Sequence, residues 1–202
     1  MFIQIIQGRC TRQDELRAMI EMWPEKLGSG AEGWLGGTYG FTDDDQFVGV
    51  VRFESRAAAM ANSERPEQGE WAEQLMALMD GPVEFHDCDD VTLMMDGGSD
   101  SAGFVQVIRG RVEDPESLKA LMTDSDMLHE LRPEIIGATL ALEDDGTFTE
   151  TIAFTTEAAA REGESGDFPE MPAEVRETLE TAMKEATFYD LHEPWFSSGQ
   201  SG

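Results

Sequence analysis

The chain of 202 residues carries 42 Asp and Glu against 14 Lys and Arg, which gives a formal net charge of −28 at pH 7. Such a field repels nucleic-acid phosphates and anionic lipids, so neither nucleic acid nor a membrane is expected as a partner. No run approaches the roughly 18 consecutive apolar residues of a membrane span, and the start MFIQIIQGRCTR lacks a secretory leader, so we expect a cytoplasmic protein.

The acidic residues are scattered in short clusters such as TDDDQ, EDDG and REGES and do not form one acidic tail. This pattern is typical of a solvated surface. An acidic face for a cationic partner and adaptation to a salt-rich host both remain open.

The sequence contains an internal repeat. The strand-like run FIQIIQGR at 2–9 returns as FVQVIRGR at 104–111, and the stretch 36–59 returns at 137–160. The repeat predicts a first unit at 1–90, a linker at 91–103, a second unit at 104–192 and a C-terminal tail at 193–202, since Gly and Ser in VTLMMDGGSDSAG suit a linker.

The first half of each unit reads as a strand followed by a helix. In unit 1 a β-branched run at 2–9 precedes an apolar stripe at helical spacing, and Thr11 is the expected N-cap of that helix. The stripe consists of Leu16, Met19, Ile20, Trp23 and Leu27.

The second half predicts a hairpin, a helical region and a last strand. Runs at 33–42 and 46–54 flank the acidic turn TDDDQ, an amphipathic stripe covers 71–79, and PVEFHDC closes the unit. The order β-α-β-β-α-β is the ferredoxin-like motif, which places both helices on one face of the sheet and the fourth strand beside the first. A second copy in the same chain can cover the open face.

The unit order, the stretch FESRAAAMANSERPEQGEW and the closing GPVEFHD resemble the antibiotic biosynthesis monooxygenase (ABM) group of dimeric α/β barrels, here as a tandem two-copy form. The resemblance implies an α+β fold, with two ferredoxin-like (βαββαβ) units packed as an intramolecular dimeric α/β barrel. It also implies a cleft between sheet and helices in each unit. Relatives use such clefts for cofactor-independent oxygenation of aromatic polyketides or quinols, for haem degradation, or in stress roles.

The sequence departs from the motifs of these relatives. Many carry a Ser-Pro-His-type start to the second helix, whereas Glu67 stands here at the place of the His. The haem-degrading branch has an Asn on the first strand and a His near the second helix, whereas this chain has Gln4 there and His86 on the last strand. Haem degradation is therefore disfavoured, and we expect no cofactor.

The internal copy serves as a control for individual candidates. Gln4 and Gln106 occupy matching positions among apolar neighbours, where a buried amide must find a partner. One interpretation is a pocket amide that orients a ligand, and the other, which we favour, is a structural hydrogen bond. Trp71 could stack on an aromatic substrate or fill the core, because its counterpart is Val175.

Unit 1 is the richer of the two in polar and aromatic groups, since Tyr39, Arg52 and Asn62 match Leu140, Ala153 and Gly163. We therefore predict the site in unit 1. The predicted catalytic residues are His86 and Arg52; the predicted ligand-binding residues are Gln4, Trp34, Tyr39, Asn62, Arg65, Trp71 and Gln106.

The stretch FHDCDD invites a metal interpretation, because strand period two puts His86, Cys88 and Asp90 on one face. The second copy replaces His86 by Tyr189 and Cys88 by Leu191, which favours packing, so no metal is predicted. A disulfide between Cys10 and Cys88 is not expected either, because antiparallel first and fourth strands place these residues at opposite sheet edges.

Two function classes remain open. The first is a cofactor-independent monooxygenase acting on a small aromatic or quinol-type substrate, and the second is a non-catalytic small-ligand-binding or stress-related protein. The sequence lacks a Walker-type phosphate loop and a G-x-S-x-G elbow, which sets nucleotide and serine-type hydrolysis aside. The expected partner is a small apolar or aromatic ligand, and the expected state is a monomer or a weak homodimer.

Overall fold

The computed structural model describes residues 1–95, 97–123, 129–130, 132–165 and 173–199. The chain divides into two units, one made of Met1–Asp89 with Trp195–Gly202 and the other of Asp90–Pro194. Each unit contains a five-stranded antiparallel sheet and helices, so the fold is α+β with tandem ferredoxin-like units, as predicted. None of the helices in the described part of the chain is long and apolar enough to cross a membrane.

Unit 1 follows the predicted βαββαβ order. Its elements are β1 (Phe2–Arg9), α1 (Gln13–Glu21), α2 (Trp23–Lys26), β2 (Trp34–Phe41), β3 (Gln46–Phe53), α3 (Arg56–Ser63), α4 (Pro66–Leu78) and β4 (Glu84–Cys88). The strand β10 (Trp195–Ser198) completes the sheet in the order β10-β2-β3-β1-β4. The fourth strand therefore lies beside the first, as the ferredoxin-like motif requires.

The helix boundaries follow from local capping and from proline. Ser55 caps α3 because its side chain accepts a hydrogen bond from Ala58 N at 3.2 Å, and Pro66 begins α4, where its missing N–H costs nothing. The predicted Thr11 cap is wrong: Arg12 is the N-cap of α1, without a side-chain hydrogen bond, and Thr11 N donates instead to Asp80 Oδ2 at 2.6 Å.

The strand register defines the two faces of the sheet in unit 1. Gln4 pairs with Val51 and Asp87, whereas Ile5 pairs with Val50 and His86. Since paired residues share a face and neighbours along a strand alternate, Gln4 and Val51 lie on the face that packs against the helices. Ile5 and its partners lie on the opposite face.

Unit 2 repeats the same order. Its elements are β5 (Asp90–Met94), β6 (Phe104–Arg111), α5 (Pro115–Thr123), β7 (Ile135–Leu142), β8 (Thr147–Phe154), α6 (Glu157–Ser165), α7 (Ala173–Met183) and β9 (Thr187–Leu191). Its sheet runs β5-β7-β8-β6-β9, with Phe104, Ile108, Phe148 and Phe154 among the buried core residues.

The predicted linker and tail each contain a strand. Strand β5 begins the segment expected to be a linker and pairs with β7 in unit 2, while β10 lies in the segment expected to be a tail and pairs with β2 in unit 1. Each four-stranded motif thus gains a fifth strand from a segment outside the repeat. The alignment of the two copies could not show this, because pairing at a sheet edge depends on which edge is reachable in three dimensions.

Candidate functional site

A cavity of about 70 Å³ lies between the sheet and the helices of unit 1. Its floor comes from β1, β2 and β3, and its walls come from α1 to α4. The lining residues are Gln4, Ile6, Ile20, Trp23, Trp34, Tyr39, Phe47, Val51, Phe53, Ala59, Asn62, Ser63, Gln68, Trp71 and Leu75. The lining is thus apolar and aromatic with a few polar side chains, which is the usual composition of a small-molecule site.

Aromatic rings brace one another around this cavity. The rings of Trp23 and Trp34 meet edge to face with centroids 4.7 Å apart, and Tyr39 stacks with Phe47 at 6.5 Å and with Trp195 at 5.8 Å. Edge-to-face and offset-stacked pairs are the favoured aromatic geometries, so the walls hold their shape without a ligand.

The position of Tyr39 depends on a neighbouring glycine. A Cβ atom at Gly37 would lie 2.1 Å from the Tyr39 hydroxyl oxygen, so any larger residue there would force this ring to move. Unit 2 has Ala138 and Leu140 at the matching places, where the smaller Leu side chain leaves room for a Cβ. The glycine therefore belongs to the aromatic site of unit 1.

Three side-chain amides in the lining, those of Asn62, Gln68 and Gln4, each have one end, the oxygen or the NH₂ group, in a hydrogen bond with another protein side chain. Arg65 Nη1 donates to Asn62 Oδ1 at 2.9 Å, which assigns the Asn62 amide and leaves its NH₂ group as the half available to a ligand. Trp23 Nε1 donates to Gln68 Oε1 at 2.8 Å, which leaves the Gln68 NH₂ group in the same state. Gln4 Nε2 donates to Asp87 Oδ1 at 2.8 Å and leaves the Gln4 carbonyl oxygen as an acceptor.

A fourth polar group is the indole N–H of Trp34. This residue is 9% exposed and lines the cavity, and within the described residues its Nε1 atom has no hydrogen-bond partner. A buried donor without a partner costs about 1–3 kcal/mol, and a ligand oxygen would remove that cost. Donors therefore outnumber acceptors among the available groups.

The phenol of Tyr39 stays neutral. Burial strongly raises the pKa of Tyr39, and the nearby Arg52 guanidinium offsets this only in part. Tyr39 therefore contributes ring surface and an O–H group, but no phenolate, at physiological pH.

Five predicted ligand-binding residues of unit 1 line this cavity: Gln4, Trp34, Tyr39, Asn62 and Trp71. The sixth, Arg65, lies behind the wall, where Nη1 also donates to Leu27 O at 3.1 Å. Its contact with the cavity passes through Asn62, so Arg65 is a positioning residue.

The two predicted catalytic residues lie on the other face of the sheet. His86 pairs with Ile5 and Arg52 with Ile3, so the strand alternation directs both away from the cavity. Arg52 Nη1 donates to Thr38 Oγ1 at 2.9 Å, and His86 Nε2 lies 3.5 Å from Glu84 Oε2. The prediction that these two side chains reach into the cleft is therefore wrong. It did not consider that neighbouring residues of a strand point to opposite faces of the sheet.

Gln106 behaves as the structural interpretation predicts. Its Nε2 atom donates to Asp190 Oδ1 at 2.9 Å, which repeats the bond between Gln4 and Asp87 in unit 1. The two glutamines thus share a cross-strand hydrogen bond between equivalent strands, and only Gln4 also lines the described cavity.

Unit 2 carries a buried carboxyl where unit 1 has Gly49. Glu150 is 6% exposed and pairs with Leu140 and Ile108 on the helix-facing side of its sheet. Burial raises the pKa of Glu150 to about 7, against a smaller opposing effect from Arg132. The expectation that unit 2 is the plainer copy therefore misses this residue.

The sequence analysis also missed Trp23, Ser63 and Gln68 as lining residues. Gln68 lies one turn before Trp71 on α4 and therefore on the same helix face, which was the available signal. Trp23 had been assigned only to the apolar stripe of the first helix, because its hydrogen bond to Gln68 is not visible from spacing.

The described residues contain no group of three or more His, Cys, Asp and Glu side chains placed to hold a metal ion. His86 and Cys88 lie in β4 of unit 1, whereas Asp90 begins β5 in the sheet of unit 2. Cys10 and Cys88 are buried and are not joined in a disulfide, and Cys88 pairs with Ile3 at the end of β1 that is far from Cys10.

Comparison with known proteins places the fold. No protein-family model matches the sequence, and no curated protein matches it. Solved structures do match over nearly the whole chain, among them two proteins named "putative monooxygenase". The one from Fusobacterium nucleatum is 10% identical with a TM-score of 0.73, covering 100% of this chain and 95% of its own. The one from Lactobacillus acidophilus is 13% identical with a TM-score of 0.69, covering 94% and 92%.

A third similar structure is that of an anthrone oxidase-like protein, which is 10% identical with a TM-score of 0.67 and covers 99% of this chain and 94% of its own. Identities this low establish the fold alone. The chain has the same tandem α+β fold as these three proteins, as the resemblance predicted.

Proposed function

We propose that unit 1 binds a small aromatic molecule that carries an oxygen acceptor, a phenol or a quinol, and oxygenates it without a cofactor. The observation that carries this proposal is the aromatic cavity whose lining includes Trp34, Asn62 and Gln68, three side chains that carry N–H groups. Such donors suit a phenolic or carbonyl oxygen, and the rings suit a flat apolar body.

The size of the cavity limits the first ligands to test. A cavity of about 150 Å³ accepts benzene in a well-studied case, and the present one is about 70 Å³. A single-ring phenol therefore needs a modest outward movement of lining side chains, and a fused-ring ligand needs a larger one.

The chemistry would use the N–H groups as charge stabilisers. Negative charge develops on the phenolic oxygen when the substrate loses a proton, and fixed donors in a site of low dielectric stabilise that charge. In the keto tautomer of a phenol or quinol the reacting ring carbon is a CH₂ group, and the carbanion formed there reacts with O₂. The CH₂ group becomes a carbonyl, one oxygen atom enters the product, and the other leaves as water together with the two hydrogens of that carbon. The substrate supplies all the electrons, so no external reductant is needed.

The names of the similar structures support an oxygenase. Two are named "putative monooxygenase" and one an anthrone oxidase-like protein, and all three share the fold across the chain. The proposal does not use His86 or Arg52, because both lie on the opposite face of the sheet.

One observation favours the second function, non-catalytic binding of the same ligand. The described lining contains no Asp, Glu, His, Lys or Arg side chain, so no general base touches the cavity. Catalysis would then depend on the hydrogen-bond donors alone, whereas binding of the ligand needs no general base.

The test combines binding with oxygen uptake. We expect 4-methylphenol and hydroquinone to quench tryptophan fluorescence saturably, and anthrone or a quinol to be consumed with one O₂ per product. Replacement of Trp34→Phe should weaken binding by roughly tenfold, because one hydrogen bond to a polarised oxygen is lost. Binding without oxygen uptake leaves the non-catalytic function, and failure of every phenol to bind rejects both.

A further inference from the structure

A second pocket opens beside the cavity at the surface of unit 1. It has a volume of about 150 Å³ and is lined by Phe2, Gln4, Ala59, Met60, Ser63, Glu64 and Asp87. Three of these residues, Gln4, Ala59 and Ser63, also line the inner cavity. The two spaces are therefore separated at this point only by the thickness of those side chains.

The residues at this boundary include few charged groups. Gln4 is half-buried and donates to Asp87 Oδ1, and the Ser63 hydroxyl donates back to Ala59 O at 3.0 Å within its own helix. Met60 is 55% exposed. Arg56 binds from one side: its Nε donates to Asp89 at 2.6 Å, its Nη1 donates to Asp87 Oδ2 at 3.4 Å, and its guanidinium covers the Phe2 ring at 5.1 Å.

The equivalent boundary in unit 2 has different chemistry. Arg161 stands at the place of Met60 and Glu164 at the place of Ser63. Gln106 donates to Glu164 Oε1 at 3.2 Å as well as to Asp190, and Arg161 binds both Glu164, at 3.0 Å, and Asp190.

The other three residues of this network, Arg161, Glu164 and Asp190, cover the side chain of Gln106. Gln106 is only 4% exposed, and Arg161 also lies over the Phe104 ring at 5.4 Å, in the way that Arg56 covers Phe2. Charge-assisted hydrogen bonds are stronger than neutral ones, so a joined carboxylate and guanidinium resist opening more than Met60 and Ser63 do. The residues at positions 60 and 63 are therefore uncharged in unit 1, whereas their counterparts in unit 2, Arg161 and Glu164, form a charged pair that also bonds the strand glutamine.

We propose that the outer pocket is the entrance to the unit 1 cavity, with Gln4 and Ser63 as the gate, and that Arg161 and Glu164 close the corresponding gate in unit 2. This inference rests on the proposed function, since it concerns how the same ligand arrives. It also assigns a function to the divergence of the two copies at positions 60 and 63.

The test places the arginine of the closed gate in unit 1. The variant Met60→Arg puts the counterpart of Arg161 beside Asp87 in the outer pocket and leaves every residue that lines the inner cavity unaltered. The probe is 4-methylphenol, and its association and dissociation rates are measured by NMR relaxation dispersion. We expect both rates to fall together by roughly tenfold while the dissociation constant stays within about twofold, because Met60 does not line the binding cavity.

The control variant is Met60→Gln, which has a side chain of similar length but adds no charge. It should keep both rates within about threefold of the unaltered protein, since glutamine cannot form the charge-assisted bonds of an arginine. Unchanged rates in the charged variant, or a change in affinity through dissociation alone, overturn the proposal. If the unaltered protein does not bind 4-methylphenol at all, the proposed function fails. Thermal unfolding of both variants checks that a change in rates is not caused by misfolding.

Discussion

Arg65 Nη1 donates to Asn62 Oδ1 at 2.9 Å and thereby decides which end of that amide a ligand meets. The guanidinium itself is held by Leu27 O and by Glu67 Oε1, so it is fixed from three sides. We expect Arg65→Met to weaken phenol binding by roughly tenfold, because the Asn62 amide loses its orientation. Isothermal titration measures the affinity, and Glu67→Gln, which leaves the bond to Asn62 in place, is the control. Equal affinities in the two variants would contradict a positioning role.

Gly37 and Tyr39 should behave as a coupled pair. Gly37→Ala places a Cβ atom 2.1 Å from the Tyr39 hydroxyl, so the ring must move, and we expect a loss of about 1–3 kcal/mol in the free energy of unfolding. Adding Tyr39→Leu recreates the Ala138 and Leu140 pair of unit 2 and should restore most of that loss, as measured by denaturant unfolding. The control is Gly69→Ala, because no atom lies within 4 Å of that position. A double variant no more stable than Gly37→Ala alone would show that the clash is not the cause.

Glu150 should make stability depend on pH. Its pKa is raised from 4.5 to about 7 by burial, so the folded state holds the proton more tightly than the unfolded chain does. The stabilisation is complete below about pH 4.5 and is lost as pH rises through about 7, and it amounts to roughly 3 kcal/mol. In urea unfolding we expect Glu150→Gln to remove this decline, which falls between about pH 4.5 and 7. Glu162→Gln, at an exposed position of the same unit, should leave the decline unchanged.

Trp195 should anchor the fifth strand of unit 1. Its ring stacks with Tyr39, lies 6.3 Å from the Phe47 ring and carries Arg17 at 5.0 Å. Trp195→Ala removes a buried aromatic side chain, so a loss of about 3–5 kcal/mol is expected in the free energy of unfolding. Trp195→Phe, which retains most of the ring contacts, should lose less than half as much. A loss below about 1 kcal/mol for the alanine variant would show that β10 is dispensable.

The protein should sediment as a monomer or a weak dimer at low ionic strength. A net charge of −28 opposes the close approach of two copies, and added salt screens that repulsion. Analytical ultracentrifugation at low and high salt checks this, and a stable tetramer at low salt would contradict it.

The sequence predicted much of each unit because the repeat allowed each element to be read twice. Strand β1, the hairpin of β2 and β3, and the last strand β4 appear where the period-two runs placed them. The first helix was predicted as one continuous stripe, yet it divides into α1 and α2 around Met22, since Pro24 cannot continue the hydrogen-bonding ladder. The cap at Thr11 was assigned from its residue type, whereas its backbone N–H in fact binds Asp80, which lies far away in the chain.

By itself the sequence determined the duplicated βαββαβ order and the difference between Tyr39 in unit 1 and Leu140 in unit 2, because hydrophobic periodicity and an internal copy are local properties. Only the tertiary structure decided that Gln4 faces the cavity while Arg52 and His86 face away from it. That choice depends on the pairing of β1 with β3 and β4, in which a shift of one residue reverses every side chain. The same holds for β5 and β10, whose partners lie far away in the chain and are selected by which sheet edges are open.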